Sequence, residues 1–201
     1  MLAQLSVLAI PRPQTTHTSM NAILENPAIR RRVARLSVAD YHRLPELPVE
    51  LVRGTIIDKM SKSPLHSSVS YELRDILNRQ LSTGLLLLAE SPLTAPDSEP
   101  EPDLCVVKGN RADLRKAHPT TAELVIEVAV SSLELDRVKA LIYAEAGVKE
   151  YWIVCPEEKC VEVHRQPGSG DYAERFTITA PAVLESSALP GVTVDLTGLL
   201  A

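Results

Sequence analysis

Two acidic residues lie within or beside short apolar runs, and this pattern constrains the fold more than any other feature. Asp103 directly precedes the apolar run 104–107, and Glu127 lies inside the run 122–130. Both runs have the length and the β-branched composition of central strands. A carboxylate buried as an ion in a strand is costly unless a cation compensates its charge. The two runs therefore predict an α/β core that carries a divalent-metal site.

The composition limits the class of protein. With 201 residues, of which 45% are hydrophobic, the chain can bury one core without disulfides. We expect residues 35–201 to form a single domain and residues 1–34, which lack sustained periodicity, to be a disordered N-terminal extension. A net charge of −5 argues against a protein that coats nucleic acid through a basic face. It does not exclude an acidic enzyme whose metal ions and local cations meet phosphates.

The cysteines and the apolar segments indicate the compartment. Cys105, Cys155 and Cys160 are odd in number and lie on or beside predicted strands, which is typical of reduced thiols in a cytoplasmic protein. No run approaches the roughly 18 apolar residues of a membrane span. The first ten residues are apolar but lack a positive leading segment, so we expect neither a signal peptide nor an anchor.

Hydrophobic spacing and turn residues predict the remaining elements. Ser37, with Asp40 three residues later, predicts a short helix with a capped start. Gly54 predicts the turn of a hairpin between two strands. The other predicted elements are an amphipathic helix over 66–81, a buried strand over 85–89, a helix over 132–147 that leads into a strand over 150–155, and an antiparallel hairpin over 160–179.

Several strings along the chain resemble one family. They lie at residues 50–54, 102–104, 124–128, 146–154 and 189–192, together with Asp136, Lys139 and Tyr143. They are similar to the Uma-type family of putative restriction endonucleases over roughly residues 36–200. The resemblance implies the PD-(D/E)xK restriction-endonuclease-like fold, which is a mixed β-sheet flanked by helices, here with additional antiparallel hairpins. It also implies phosphodiester cleavage that depends on Mg²⁺, with Mn²⁺ as an alternative ion.

The resemblance implies roles for the central residues. Asp103 and Glu127 would hold one or two Mg²⁺ ions, and the backbone carbonyl of Val128 would complete the ligand set. Ala129 stands where many members of the wider superfamily carry the catalytic lysine. Lys139, on the following helix, is expected to bring its amine to the same space from another backbone position. There it would orient the attacking water or help to deprotonate it.

Three further residues match recurrent family positions. Glu50 would complete the metal shell or act through a water; the alternative is a strand-edge acid paired with Arg53. His66 would contact the substrate; the alternative is a helix-start residue without a chemical role. Tyr143 would pack in the core, with a hydroxyl that reaches the site and the substrate.

These inferences predict a metal-dependent endonuclease that hydrolyses phosphodiester bonds in DNA. A homodimer is expected, because cutting two strands is easiest with two related sites. The alternative is a catalytically inactive binding or accessory protein with the nuclease fold, which the acidic composition and Ala129 favour. In that case Lys139 could simply pair at the surface with Asp136, three residues before it. A hydrolase of a small phosphoester would use the same site.

Overall fold

A six-stranded mixed β-sheet carries the two acidic residues. The structure is a computed structural model that describes residues 35–45 and 47–201, so the predicted extension 1–34 lies outside the described residues. The helices are α1 (Val38–Tyr41), α2 (Pro64–Gln80), α3 (Arg111–Leu114), α4 (Leu133–Glu145) and α5 (Leu196–Leu199). The strands are β1 (Val49–Val52), β2 (Thr55–Asp58), β3 (Leu85–Ala89), β4 (Leu104–Lys108), β5 (Leu124–Val128), β6 (Glu150–Cys155), β7 (Cys160–Pro167), β8 (Tyr172–Thr179), β9 (Val183–Glu185) and β10 (Thr193–Asp195).

The strands of the large sheet follow chain order from β3 to β8. Every neighbouring pair is antiparallel except β5 and β6, which run parallel. Parallel neighbours need a crossover connection, and α4 supplies it. The mixed sheet with flanking helices and antiparallel hairpins confirms the predicted fold class. The hairpins are β1–β2 and β9–β10.

The two longer helices cover opposite faces of the sheet. From α2, the buried residues Val69, Leu73 and Leu77 pack into one apolar cluster, which also contains Trp152 of β6. Their steps of four are the spacing of one helix face. From α4, Ala140, Tyr143 and Ala144 join a second cluster on the other face, together with Cys105, Val125 and Ile153. Among the described residues, no helix combines the length and the apolar character needed to cross a bilayer.

Local sequence explains the turns near the N-terminal hairpin. The Ser37 hydroxyl accepts the amide N–H of Asp40, and the Asp40 carboxylate accepts the amide N–H of Ser37, so the predicted capped helix start is confirmed. Arg53 and Gly54 both have positive φ, 51° and 73°, as the turn of a tight hairpin requires. A Cβ at Gly54 would lie only 2.7 Å from the Cβ of Arg35, so glycine is needed there for space as well.

Three sequence expectations differ from the structure in detail. The strand over 85–89 is the half-buried edge of the sheet rather than a fully buried strand. The helix predicted over 66–81 ends at Gln80 and begins at Pro64, two residues earlier than predicted. It begins there because Ser63 caps it and proline suits the first helical position. The helix predicted over 132–147 spans Leu133–Glu145, and the hydroxyl of Ser132 does not cap its start. It donates instead to Asp136 Oδ2 at 2.5 Å. The cysteines are free thiols, as predicted.

Candidate active site

The strand ladder brings Asp103 and Glu127 together. Leu104 is opposite Ile126 in the antiparallel pairing of β4 and β5. The next step of this ladder sets Asp103 opposite Glu127, and opposed residues point to the same face. The amide N–H of Asp103 donates to Glu127 Oε2 at 3.2 Å. Two residues that are distant in sequence are therefore direct neighbours at the start of β4.

Asp103 is buried but remains a carboxylate. Its Oδ2 accepts the amide N–H of Val128 at 2.8 Å and lies 2.9 Å from His66 Nε2. Its Oδ1 lies 3.0 Å from Lys62 Nζ. Burial alone would raise the pKa of Asp103. The hydrogen bonds from His66 and Val128 outweigh burial, so the pKa is lowered and the site keeps a negative charge there.

Glu127 is held from the helix side of the sheet. Its Oε1 accepts hydrogen bonds from Lys139 Nζ at 3.1 Å and from the Tyr143 hydroxyl at 2.9 Å. Burial raises the pKa of Glu127 well above its usual value, although the charge of Lys139 opposes the rise. Burial also raises the pKa of Tyr143, so its hydroxyl keeps its proton and acts as a donor.

Lys139 is the fixed cation of the site. Its Nζ also lies 2.9 Å from Glu50 Oε2 and 4.0 Å from Asp136 Oδ1. Burial lowers the pKa of the amine, but the charges of Glu127, Glu50 and Asp136 outweigh burial, and the pKa is raised. Lys139 is therefore an ammonium ion. Only 4% of Lys139 and 2% of Asp136 is exposed, so the alternative of a surface pair is wrong.

Glu50 does not pair with Arg53, so the partner named for it is wrong, but a structural ion pair stays an alternative because Glu50 pairs with Lys139. Arg53 instead contacts Asp97 at 3.4 Å and Glu145 at 2.5 Å. Glu50 faces Lys139 instead, and its Oε2 lies 2.9 Å from Lys139 Nζ, so the buried carboxylate is paired with a buried ammonium.

A cavity of about 180 Å³ opens onto these side chains. Sequence reasoning did not name Lys62 and Asp136 as site residues, although both line the cavity and contact its predicted residues. Asp136 lies one helical turn before Lys139 and hence on the same face of α4. This spacing was the sequence feature that could have identified Asp136 as a site residue. For Lys62 the sequence carries no signal. Burial raises the pKa of Asp136 to about 6, which makes it able to exchange a proton near neutral pH.

The structure gathers the predicted site residues around this cavity, either lining it or in contact with a residue that lines it. Their chemical roles stay predictions. The residues are Glu50, His66, Asp103, Glu127, Val128, Lys139 and Tyr143.

The donor set fits a hard divalent cation with few protein ligands. Within residues 35–45 and 47–201, no three His, Cys, Asp or Glu side chains are grouped to hold a metal ion. An ion at Asp103 and Glu127 would thus need oxygens from water or substrate, as Mg²⁺ accepts. The carboxylates of Glu50, Asp103, Glu127 and Asp136 line the cavity, and carboxylate oxygens suit Mg²⁺ and Mn²⁺.

Comparison with known proteins gives a family and a fold. A family model, Uma2, described as "Putative restriction endonuclease", matches residues 38–197. One similar crystal structure is that of "a putative nuclease belonging to DUF820" from Anabaena variabilis ATCC 29413. The two structures superpose with a TM-score of 0.69 and are 20% identical in sequence, and the match covers 82% of this chain and 97% of that chain. The similarity shows that the two proteins share a fold. No curated protein shows significant similarity to the chain.

Proposed function

The chain belongs to the Uma2 family, as its motifs predicted, and from this premise we propose that it is a metal-dependent endonuclease that hydrolyses phosphodiester bonds in DNA. The family description supports a nuclease. The metal ion, Mg²⁺ or Mn²⁺, and the DNA substrate are our proposal. We further propose that the enzyme works in the cytoplasm as a homodimer, because two related sites suit the cleavage of two strands.

One observation carries the proposal. Asp103 and Glu127 converge at the start of β4 and face an open cavity, with the ammonium of Lys139 3.1 Å from Glu127. Four buried carboxylates line this cavity, opposed by the lysines Lys139 and Lys62, and such an excess of buried negative charge is costly without a further cation. The four are Glu50, Asp103, Glu127 and Asp136.

The residues divide the chemical work. Asp103 and Glu127 would hold Mg²⁺, with the carbonyl of Val128 as a further oxygen. When bound, Mg²⁺ supplies Lewis-acid chemistry, which activates water and neutralises charge on the phosphate. The raised pKa of Lys139 favours an electrostatic role over that of a general base, because an ammonium has no lone pair with which to accept a proton. It would stabilise charge that develops on the phosphate oxygens.

Neighbouring groups orient the two carboxylates that would hold the metal ion. Tyr143 donates to Glu127 Oε1 and so fixes the rotamer of that carboxylate. The amide of Val128 does the same for Asp103 Oδ2. His66 lies 2.9 Å from that oxygen and lines the cavity, so it can contact both Asp103 and a bound phosphate. Groups held this way need little reorganisation when substrate arrives.

Plasmid cleavage with matched variants tests the proposal. Purified protein is incubated with supercoiled plasmid in Mg²⁺ or Mn²⁺, beside Asp103→Asn. Asparagine keeps the shape and the acceptor for the Val128 amide but loses the charge. The control is Glu123→Gln, a carboxylate at the opposite end of β5 that pairs with Lys149 at 2.7 Å. Nicking by wild type and by the Glu123 variant, and none by the Asp103 variant, is the expected result.

Calorimetry separates the enzyme from its alternative. We expect wild type to bind Mn²⁺ and the Asp103→Asn variant to bind it at least tenfold more weakly, about 1.4 kcal/mol. Binding of DNA without cleavage in either ion would instead identify an inactive protein with the nuclease fold. Cleavage of a small phosphodiester but not of plasmid would reassign the substrate to small phosphoesters.

A further inference from the structure

A second lysine enters the cavity from a different element. Lys62 belongs to the loop of residues 59–63, which joins β2 to α2. Its Nζ lies 3.0 Å from Asp103 Oδ1 and 3.0 Å from Glu90 Oε1. It lies outside every string that resembles the family, so its role must be argued from the structure.

Lys62 is held far more loosely than Lys139. The Lys139 side chain is 5% exposed, projects from a helix and contacts the buried acids Glu50 and Glu127. The Lys62 side chain is 35% exposed, and its partner Glu90 is 65% exposed. The pair with Glu90 is exposed and contributes little free energy, because water competes for both charges. The Asp103 side chain is only 8% exposed, so the pair of Lys62 with Asp103 contributes more. Lys62 can therefore leave Asp103 when another cation replaces its charge there, whereas Lys139 is bound by several buried acids.

Lys62 contacts the carboxylate oxygen of Asp103 that has fewer hydrogen-bond partners. Oδ2 of Asp103 already contacts the Val128 amide and His66, whereas Oδ1 has Lys62 as its one hydrogen-bond partner in the part of the chain that the structure describes. A divalent cation on Asp103 would find Oδ1 the more available oxygen. An ammonium and a divalent cation at one oxygen repel each other, so the two compete.

We propose that Lys62 is a displaceable counter-ion of Asp103, which moves to a backbone phosphate of DNA when a divalent cation binds. This inference rests on the proposed endonuclease function. A lysine ammonium binds phosphate as a point charge on a flexible stem. Two lysines of this loop line the cavity: Lys59 pairs with Glu101 at 2.6 Å, and Lys62 is the one that lies at Asp103.

Metal binding without DNA tests the first half of the inference. Mn²⁺ affinity is measured by titration calorimetry for wild type, Lys62→Met and Lys62→Arg. The control is Lys59→Met, which removes a lysine from the same loop that does not contact Asp103. Loss of the competing charge should tighten Mn²⁺ binding by Lys62→Met roughly fivefold. Lys62→Arg and Lys59→Met should bind Mn²⁺ as wild type does.

DNA binding tests the second half. A short duplex is titrated in Ca²⁺, which supports binding while cleavage is suppressed, at several salt concentrations. Lys62→Met should bind roughly five- to tenfold more weakly, and the slope of log affinity against log salt should fall by about one phosphate contact. Lys62→Arg should restore both values. Urea midpoints of all variants report whether folding is intact.

The outcomes separate this inference from the proposed function. If wild type binds Mn²⁺ and DNA but Lys62→Met matches it in both titrations, the role of Lys62 is overturned and the endonuclease proposal stands. Weaker Mn²⁺ binding by Lys62→Met would also overturn it, because Lys62 would then support the ion rather than compete with it. If wild type binds neither, the proposed function fails and this inference fails with it.

Discussion

Replacing Asp136 by Asn should stabilise the fold at alkaline pH, although Asp136 lines the candidate active site. Burial raises the pKa of Asp136 from 3.8 to about 6, with Asp103 and Glu50 adding to the rise and Lys139 and Ser132 opposing it. The unfolded chain thus gives up this proton at lower pH than the folded chain. The neutral carboxyl favours folding fully below the unfolded pKa, and this advantage is lost as pH rises through about 6.

The size of the effect follows from the pKa difference. A shift from 3.8 to about 6, at about 1.4 kcal/mol per pKa unit, corresponds to about 3 kcal/mol. Asparagine imitates the neutral carboxyl and can still accept the hydroxyl hydrogen bond of Ser132. The variant should gain up to about 3 kcal/mol at pH 8, and only about 1 kcal/mol at pH 4.5.

Urea unfolding at the two pH values measures this gain. Trp152 is the single tryptophan of the chain and is fully buried, so its fluorescence follows unfolding. Asp75→Asn, an exposed residue of α2, is the control and should change stability by less than about 0.5 kcal/mol at either pH. A loss of stability of equal size at both pH values would refute the reasoning, since Asp136 would then not be a buried charge whose cost depends on pH.

Three further predictions concern the buried charges and the assembly. Lys139→Met should cost about 3–5 kcal/mol near pH 8 in urea unfolding, because it leaves buried carboxylates without their cation; a loss below about 1 kcal/mol would contradict the site geometry. Glu150→Gln should cost about 2 kcal/mol near neutral pH. Burial raises the pKa of Glu150, but hydrogen bonds, chiefly from Ser186, lower it overall. The difference between variant and wild type should therefore shrink as pH falls below about 4, as acid titrations would show. Light scattering after gel filtration should give twice the mass of 22.0 kDa for a homodimer, and a single chain mass would exclude it.

Local chemistry made much of the fold predictable. The capping box at Ser37, the turn at Gly54 and the apolar spacing in α2 each depend on residues a few positions apart. The strand–helix–strand unit of β5, α4 and β6 was predictable for the same reason. The edge position of β3 was not, because a run of leucines has the same pattern in a central strand and at an edge.

The candidate site was predictable in part. Asp103 and Glu127 stood out as acids within apolar runs, and the family resemblance pointed to Lys139. Lys62 did not stand out, because nothing local distinguishes it from other loop lysines.

The sequence by itself determined which segments form helices and strands and which acids would be costly to bury. Only the tertiary structure decided that Asp103 lies opposite Glu127, that Lys139 reaches Glu127 from the helix above, and that Lys62 sits on Asp103. The reason is that a helix or turn depends on neighbours along the chain. The charge state of a buried carboxylate depends instead on every cation and donor that separate elements bring within a few ångströms.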